Sequence, residues 1–295
     1  MEIPPPIDDI KRWLVARNPL WLFKDEKRII ISDIDPKPWS GHFNYLVTTG
    51  DRKFVLRLKG PEWGRPEGAV DEYRILKKIA PHHVGPAVYY LNKDFFGEPM
   101  FFEEYLLDAT PINKLSPHAL QKAAPDIARF IARINAIRFR KNGFPFQEAM
   151  TSYTRHKNAW RTRLEVILDC RHTKTCGQEL LAVLPGIESR LNEFDERLRR
   201  ILKATGPVFI FESAHVGHCV QVEDGFRFYN WEQVSYGDPS YTLAVFLTSL
   251  KDQKNFETIK RKMISAYLGV IDVPEFTALI DQRLWERHVS NIIYT

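Results

Sequence analysis

Polar and apolar positions change period along the chain, and the changes mark its elements. From Arg28 the segments RIIISDI, FNYLVTT and RKFVLRLK are rich in Ile, Val, Phe and Tyr, which predicts three strands. Thr49-Gly50-Asp51 predicts a hairpin turn between the second and third. Residues 69–79 (AVDEYRILKKI) then place Val70, Tyr73, Ile75, Leu76 and Ile79 at helical spacing, and Pro81 closes the helix. AVYYLNKD, a turn at Gly97 and EPMFFEEYL predict a second hairpin. Ahead of all this, DDIKRWLVAR at 8–17 reads as a short helix. Asp8 and Asp9 favour its N-terminus, and Ile10, Trp13 and Leu14 share one face. Residues 28–107 are thus mostly antiparallel strands around one helix.

After Leu107 the pattern is helical. Ser116 is a cap and Pro117 a first helical residue; Leu120, Ala124, Ile127, Ile131 and Ile134 carry the apolar stripe. Pro125 is expected to kink that helix or to start its second half. Two Arg-rich helices are predicted at 151–171 and 178–203. The segment 206–240 interrupts them with two strand-like pieces, VFIF and FRFYNW, and a turn at Asp224-Gly225. Helical spacing resumes at 240–250. The expected fold class is α+β, with a strand-rich part over 1–107 and a mainly helical part over 108–295 that carries a hairpin at 207–239.

Composition narrows the class without naming a function. The 295 residues hold 42 Lys+Arg against 37 Asp+Glu, a net charge of +5, with 44% hydrophobic residues. That is an ordinary globular balance, and the excess charge is too small and diffuse to point to nucleic acid. No run approaches the roughly 20 apolar residues of a membrane helix. The first residues show no basic region followed by an apolar core, so no secretory signal is expected. Three cysteines, Cys170, Cys176 and Cys219, argue for a reducing compartment and a cytoplasmic location.

Strands with one helix, then helices broken by a small hairpin, resemble the aminoglycoside phosphotransferase and choline kinase family, which shares the protein-kinase-like fold. VLRL at 55–58 resembles the strand carrying the nucleotide-binding cation, which puts Arg57 in that role. Glu72 in VDEYRILKKI resembles the helix glutamate that pairs with it. GEPMFFEEYL resembles the last strand and hinge, so the resemblance implies that Glu104, Tyr105 and Leu106 border an adenine-like ring. KPWSGHFN at 37–44 lies where the family covers phosphates, with Gly41 its one glycine. Ile134-Asn135 stands where the family ends a helix with Leu-His. Trp231-Glu232 and Gly237-Asp238-Pro239 are the most specific matches. The implied architecture is two lobes meeting near residue 107, with ATP as the nucleotide in the cleft.

The family's catalytic loop reads His-Gly-Asp, four residues, Asn, with a second Asp before Trp-Glu. Aligned on it, Phe211-Glu212-Ser213 replaces His-Gly-Asp, His218 falls on the Asn and Asn230 on the second Asp. Serine supplies no base at neutral pH without help, and loss of a general base costs about 10²–10⁴ in rate. Mg²⁺ wants hard oxygen ligands, whereas His218 offers nitrogen and Asn230 a neutral amide, which counts against Mg²⁺. A register slip of one residue would bring Glu212 to the base position. Three classes therefore stay open. One is a catalytically impaired, pseudokinase-like member binding a nucleotide, a small anion or a protein partner. Another is an active small-molecule phosphotransferase using Glu212 or Glu232. The third is a binder of nucleic acid or another acidic partner through the Arg-rich helices, although Glu165, Asp169, Glu193, Asp195 and Glu196 interleave with their basic residues. His215, His218 and Cys219 make a poor zinc template, and no metal is assigned.

Overall fold

The computed structural model describes residues 5–17, 29–34, 42–59, 68–139, 150–153 and 157–294. The expected phosphate-covering Gly41 lies outside them. The elements run α1 (Ile7–Arg17), β1 (Ile29–Asp33), β2 (His42–Thr49), β3 (Arg52–Lys59), α2 (Gly68–Ile79), β4 (Val88–Phe95), β5 (Glu98–Glu104) and β6 (Thr110–Pro111). Then come α3 (Pro117–Ala136), α4 (Lys157–Asp169), α5 (Lys174–Thr205), β7 (Val208–Phe211), β8 (Cys219–Val222), β9 (Gly225–Phe228), β10 (Val234–Gly237), α6 (Tyr241–Thr248), α7 (Phe256–Leu268) and α8 (Phe276–Tyr294). Contacts divide the chain into two compact units. The first is residues 1–110 with 220–232; the second is 111–219 with 233–295. Residues 220–232, expected with the helical part, thus group with the strands.

In the first unit five strands form a sheet in the order β1-β2-β3-β5-β4, with antiparallel neighbours throughout. Opposite residues in an antiparallel ladder share a face, and successive residues alternate. Leu56 opposes Phe102 and Leu58 opposes Met100. These four, with Phe54, Tyr45 and Val47, make one apolar face that buries Ile10 and Leu14 of α1. Trp13 meets Phe95 edge-to-face at 4.7 Å. The other face carries Arg57 opposite Phe101 and Val55 opposite Glu103. Helix α2 belongs to this second face: Tyr73 approaches Phe101 at 6.0 Å, and Ile75, Leu76 and Ile79 are buried. Gly50 turns β2 into β3 at a φ of 59°, a left-handed conformation that favours glycine.

In the second unit, Ser116 caps α3 by accepting from the Ala119 N–H at 3.2 Å. The helix continues through Pro125, so Pro125 does not start a separate second half. Ala124, Ile127, Ala128 and Ile131 are buried on both sides of the lost hydrogen bond. Likewise α5 begins at Lys174, four residues earlier than its spacing suggests, and passes through Pro185. The interrupting segment holds four strands where two were expected. β7 pairs with β10, which the sequence reading missed, and β8 forms a hairpin with β9. Gly237 ends β10 at a φ of 154°, and a Cβ there would lie 2.0 Å from the Met150 carbonyl oxygen. Only glycine admits that close approach.

Candidate active-site positions

The sheet face turned toward α2 assembles a buried polar cluster within the first unit. Arg57 is 4% exposed and Glu72 fully buried. Arg57 Nη2 donates to Glu72 Oε2 at 2.8 Å and to Asn230 Oδ1 at 3.1 Å. The expected ion pair is therefore formed, and Asn230 sits directly on it. Glu103 Oε1 lies 3.7 Å from Arg57 Nη1. Glu72 Oε1 accepts the Trp231 N–H at 2.7 Å, so one carboxylate ties strand β3, helix α2 and the segment after β9 together. Trp231 is buried, its Nε1 donating to the Phe228 carbonyl at 2.6 Å, and it packs so closely on Gly85 that a Cβ there would meet Nε1 at 2.7 Å. His42 Nε2 stands 3.1 Å from Glu232 Oε2 and 3.7 Å from Glu72 Oε2.

One guanidinium thus faces three carboxylates, Glu72, Glu103 and Glu232. Burial by itself would lower the Arg57 pKa, but those carboxylates outweigh it and raise it. Glu103 responds the other way. Burial, reinforced by Glu72 and Glu104 against the opposing pull of Arg57, pushes its carboxyl from 4.5 up to about 8. Burial thus favours a proton on Glu103, and its Oε2 has no hydrogen-bond partner among the described residues.

That state makes a pH-dependent prediction. Between 4.5 and about 8 the native chain holds a proton at Glu103 that the unfolded chain has released. Stability contributed by this proton is full below the lower value and is lost as pH rises through the upper one, by up to about 1.4 kcal/mol per pH unit. Glu103→Gln mimics the protonated form. It should leave stability at pH 5 nearly unchanged and raise it at pH 8.5. Urea unfolding at both pH values measures this, and an equal effect at both would exclude a buried protonated Glu103.

Sequence reasoning missed Glu103 and His42. Nothing within EPMFFEEYL separates Glu103 from Glu104; the ladder with β3 puts residues 101 and 103 on the Arg57 face. His42 was read within a loop, whereas it begins β2 and is buried there. Of the expected hinge residues, Glu104 donates its N–H to the Ala87 carbonyl at 2.8 Å, and its Oε2 accepts the Ala87 N–H at 3.0 Å. Tyr105 receives Lys53 over its ring at 5.6 Å. Leu106 follows β5, partly buried and outside any strand.

The loop after β7 belongs to the second unit. Glu212 N–H bonds the Gln233 carbonyl at 3.0 Å, prolonging the β7–β10 ladder by one residue. Ser213 Oγ donates to Gln233 Oε1 at 3.4 Å, a long and weak contact with a neutral amide. His218 Nδ1 lies 2.9 Å from the Ser213 carbonyl oxygen. A carbonyl only accepts, so this ring nitrogen carries the hydrogen. His215 Nδ1 instead accepts the Gly217 N–H at 3.1 Å. The two ring centroids lie 3.7 Å apart with the rings tilted by 39°, and burial together with the Arg287 charge lowers the His215 pKa. Glu212 keeps one buried oxygen, Oε1, without a hydrogen-bond partner among the described residues. No cluster of three or more His, Cys, Asp or Glu that could hold a metal ion occurs among the described residues.

Asp238 and Asn135 have structural tasks. Asp238 Oδ2 accepts from Arg283 Nη2 at 2.7 Å, and Oδ1 accepts from the Ser240 N–H and Oγ at the start of α6. Asn135 Nδ2 reaches the Phe209 carbonyl at 2.5 Å, while its Oδ1 accepts from the Tyr267 hydroxyl at 3.0 Å. Several arginines of the Arg-rich helices have partners: Arg161 grips Glu188 at 2.9 and 2.8 Å, Arg197 and Arg200 meet Glu275, and Arg190 lies over Trp285. All three cysteines are free, and no helix among the described residues is long and apolar enough to cross a membrane.

Comparison with known proteins places this arrangement. The model of the phosphotransferase enzyme family matches residues 36–276. No curated protein matches the chain in sequence. Among solved structures, choline kinase from Cryptosporidium parvum has a TM-score of 0.67 at 14% identity, covering 98% of this chain and 88% of that one. Choline kinase from Streptococcus pneumoniae has a TM-score of 0.62 at 13% identity, with coverages of 97% and 87%. An aminoglycoside phosphotransferase from Streptomyces rimosus gives 0.62 at 15% identity, with coverages of 98% and 99%. The fold is protein-kinase-like, and with the family model spanning most of its length the chain belongs to the phosphotransferase enzyme family.

Proposed function

We propose that this chain is a pseudokinase-like member of the family, a binding protein that does not carry out Mg²⁺-dependent phosphoryl transfer. The observation that carries the reading is the hydrogen-bond set around Arg57. Its guanidinium is committed to Glu72 and Asn230, with Glu103 close by. Transfer of a phosphoryl group needs positioned charge: a base for the hydroxyl and a metal for the phosphates. Here the base position is Ser213, bonded only weakly to a neutral amide, and the metal positions are His218 and Asn230. His218 turns a protonated nitrogen to a carbonyl and Asn230 turns its oxygen to Arg57, so both polar groups have protein partners already. Glu72 and Arg57 still hold α2 on the sheet, so the family's ion pair survives as a structural element.

Any nucleotide bound through this unit would meet Arg57 already shared among carboxylates. Its binding should be weak and indifferent to Mg²⁺. Thermal unfolding with ATP and Mg²⁺ varied independently measures this, because a ligand at a hundred times its dissociation constant adds about 2.7 kcal/mol of stability. We expect a small or absent shift with ATP, unchanged by Mg²⁺, and no ATP consumption in a single-turnover assay. A strong joint shift with Mg²⁺-dependent turnover would overturn the proposal. A second reading then takes over, favoured by the unpartnered buried oxygen of Glu212: an active phosphotransferase with Glu212 as its base. Glu212→Gln would abolish turnover in that case.

A further inference from the structure

We infer that the groove between α3 and α7 is a docking site for an acidic peptide segment of a partner protein. The groove has a volume of about 800 Å³ and lies wholly in the second unit. Lys122 and Arg129 of α3 and Arg261 and Lys262 of α7 line it, and none of its lining residues is acidic. All four are exposed. Arg129 pairs with Asp126, whereas Lys122, Arg261 and Lys262 have no ion-pair partner among the described residues. The contrast with α4 and α5 is informative. There Arg161 pairs with Glu188, and Arg197 and Arg200 with Glu275; here three of the four cations on a concave wall have no ion-pair partner among the described residues. Such a wall focuses a positive potential and selects an anionic ligand.

The form of the groove favours a peptide over a compact anion. On α7 and its capping residue Gly269, residues 258, 261, 262, 265 and 269 recur at helical spacing, a stripe of 11 residues' span. At about 1.5 Å rise per residue the stripe is about 16 Å long, the reach of about five extended residues. Lys122 and Arg129 are seven residues apart on the opposite wall, about 10 Å along the axis, so the cations are spread rather than gathered on one point. Thr258, Ser265 and Gln121 add neutral hydrogen-bonding groups. Neutral hydrogen-bonding groups and spread cations together fit a backbone bearing carboxylates or phosphates. A nucleic acid has no comparable run of backbone donors, and the chain's net charge of +5 is small for one.

The test is fluorescence anisotropy of the full chain with a labelled peptide of about ten residues alternating Glu and Ser. A Gln-for-Glu counterpart and a single-stranded oligothymidylate of matching length are the comparison probes. We expect saturable binding of the acidic peptide that weakens with salt, and none of the neutral one. Lys122→Gln, Arg261→Gln and Lys262→Gln combined should weaken it by about tenfold or more, with thermal unfolding unchanged because all three are exposed. Arg161→Gln, on α4, should leave it unchanged. Equal binding by the triple variant, no saturable binding, or tighter binding of the oligothymidylate would each overturn the assignment.

Discussion

Ser213→Asp, His218→Asn and Asn230→Asp introduced together should give the chain a Mg²⁺-dependent ATP consumption well above that of the wild type. Each substitution restores one charge or oxygen that phosphoryl transfer requires, and the local geometry admits all three. Ser213 is partly buried beside Gln233, so a carboxylate there displaces one weak hydrogen bond. An asparagine at 218 keeps a side-chain N–H for the Ser213 carbonyl, which His218 Nδ1 now serves at 2.9 Å. Asn230 has a φ of 68°, a left-handed conformation that aspartate tolerates nearly as well. Its Oδ1 already accepts from Arg57. The single variants should stay near background, because base and metal ligands act as a unit. The triple variant should gain about 10²-fold or more over the wild type, the scale of one general base. Single-turnover release of phosphate, with and without Mg²⁺, reads the outcome. Wild-type turnover equal to the triple variant's would mean that the substituted positions do not limit the chemistry.

The sequence carried the fold where the side-chain period and burial agree. RKFVLRLK and EPMFFEEYL are short runs rich in apolar and aromatic residues next to turn signals, and both strands lie within a residue or two of their expected bounds. Arg57 and Glu72 were legible through the family resemblance, in which VLRL stands for the cation-bearing strand and VDEYRILKKI for the helix with its glutamate. Glu103 was not, since two adjacent glutamates look alike in sequence; only the ladder with β3 shows which one is buried. Residues 219–222 and 234–237 are strands of four, too short to show a period. Pro125 misleads for a different reason. It removes one hydrogen bond, but burial of Ala124, Ile127 and Ala128 beside it outweighs local propensity. The grouping of 220–232 with the first unit rests on Trp231 and Asn230 reaching Glu72 and Arg57, contacts more than 150 residues apart in sequence that no local pattern records.

The largest structural loss is expected at Arg283, which the sequence reading did not single out. It is fully buried on α8 and donates to Asp238 Oδ2 through Nε at 3.1 Å and Nη2 at 2.7 Å. Nη1 reaches Glu286 at 3.3 Å. The guanidinium lies 3.8 Å over the Tyr153 ring and 5.1 Å from that of Tyr241. Burial alone would lower its pKa, but the surrounding Asp238 and Glu286 raise it, so it stays charged. Arg283→Met keeps much of the volume while leaving Asp238 and Glu286 buried without their cation. Removing one partner of a buried pair costs about 3–5 kcal/mol, because the remaining charge is left uncompensated. Arg283→Lys should lose part of this too, since an ammonium cannot reproduce the two-point grip on Asp238. Urea unfolding of both variants measures the effect. Adding Asp238→Asn to Arg283→Met should recover part of the loss, as it removes one stranded charge, although the Ser240 contacts at the start of α6 weaken. A loss below about 1 kcal/mol for Arg283→Met would place Asp238 and Glu286 in contact with water and refute a sealed ion cluster beneath the Gly237-Asp238-Pro239 turn.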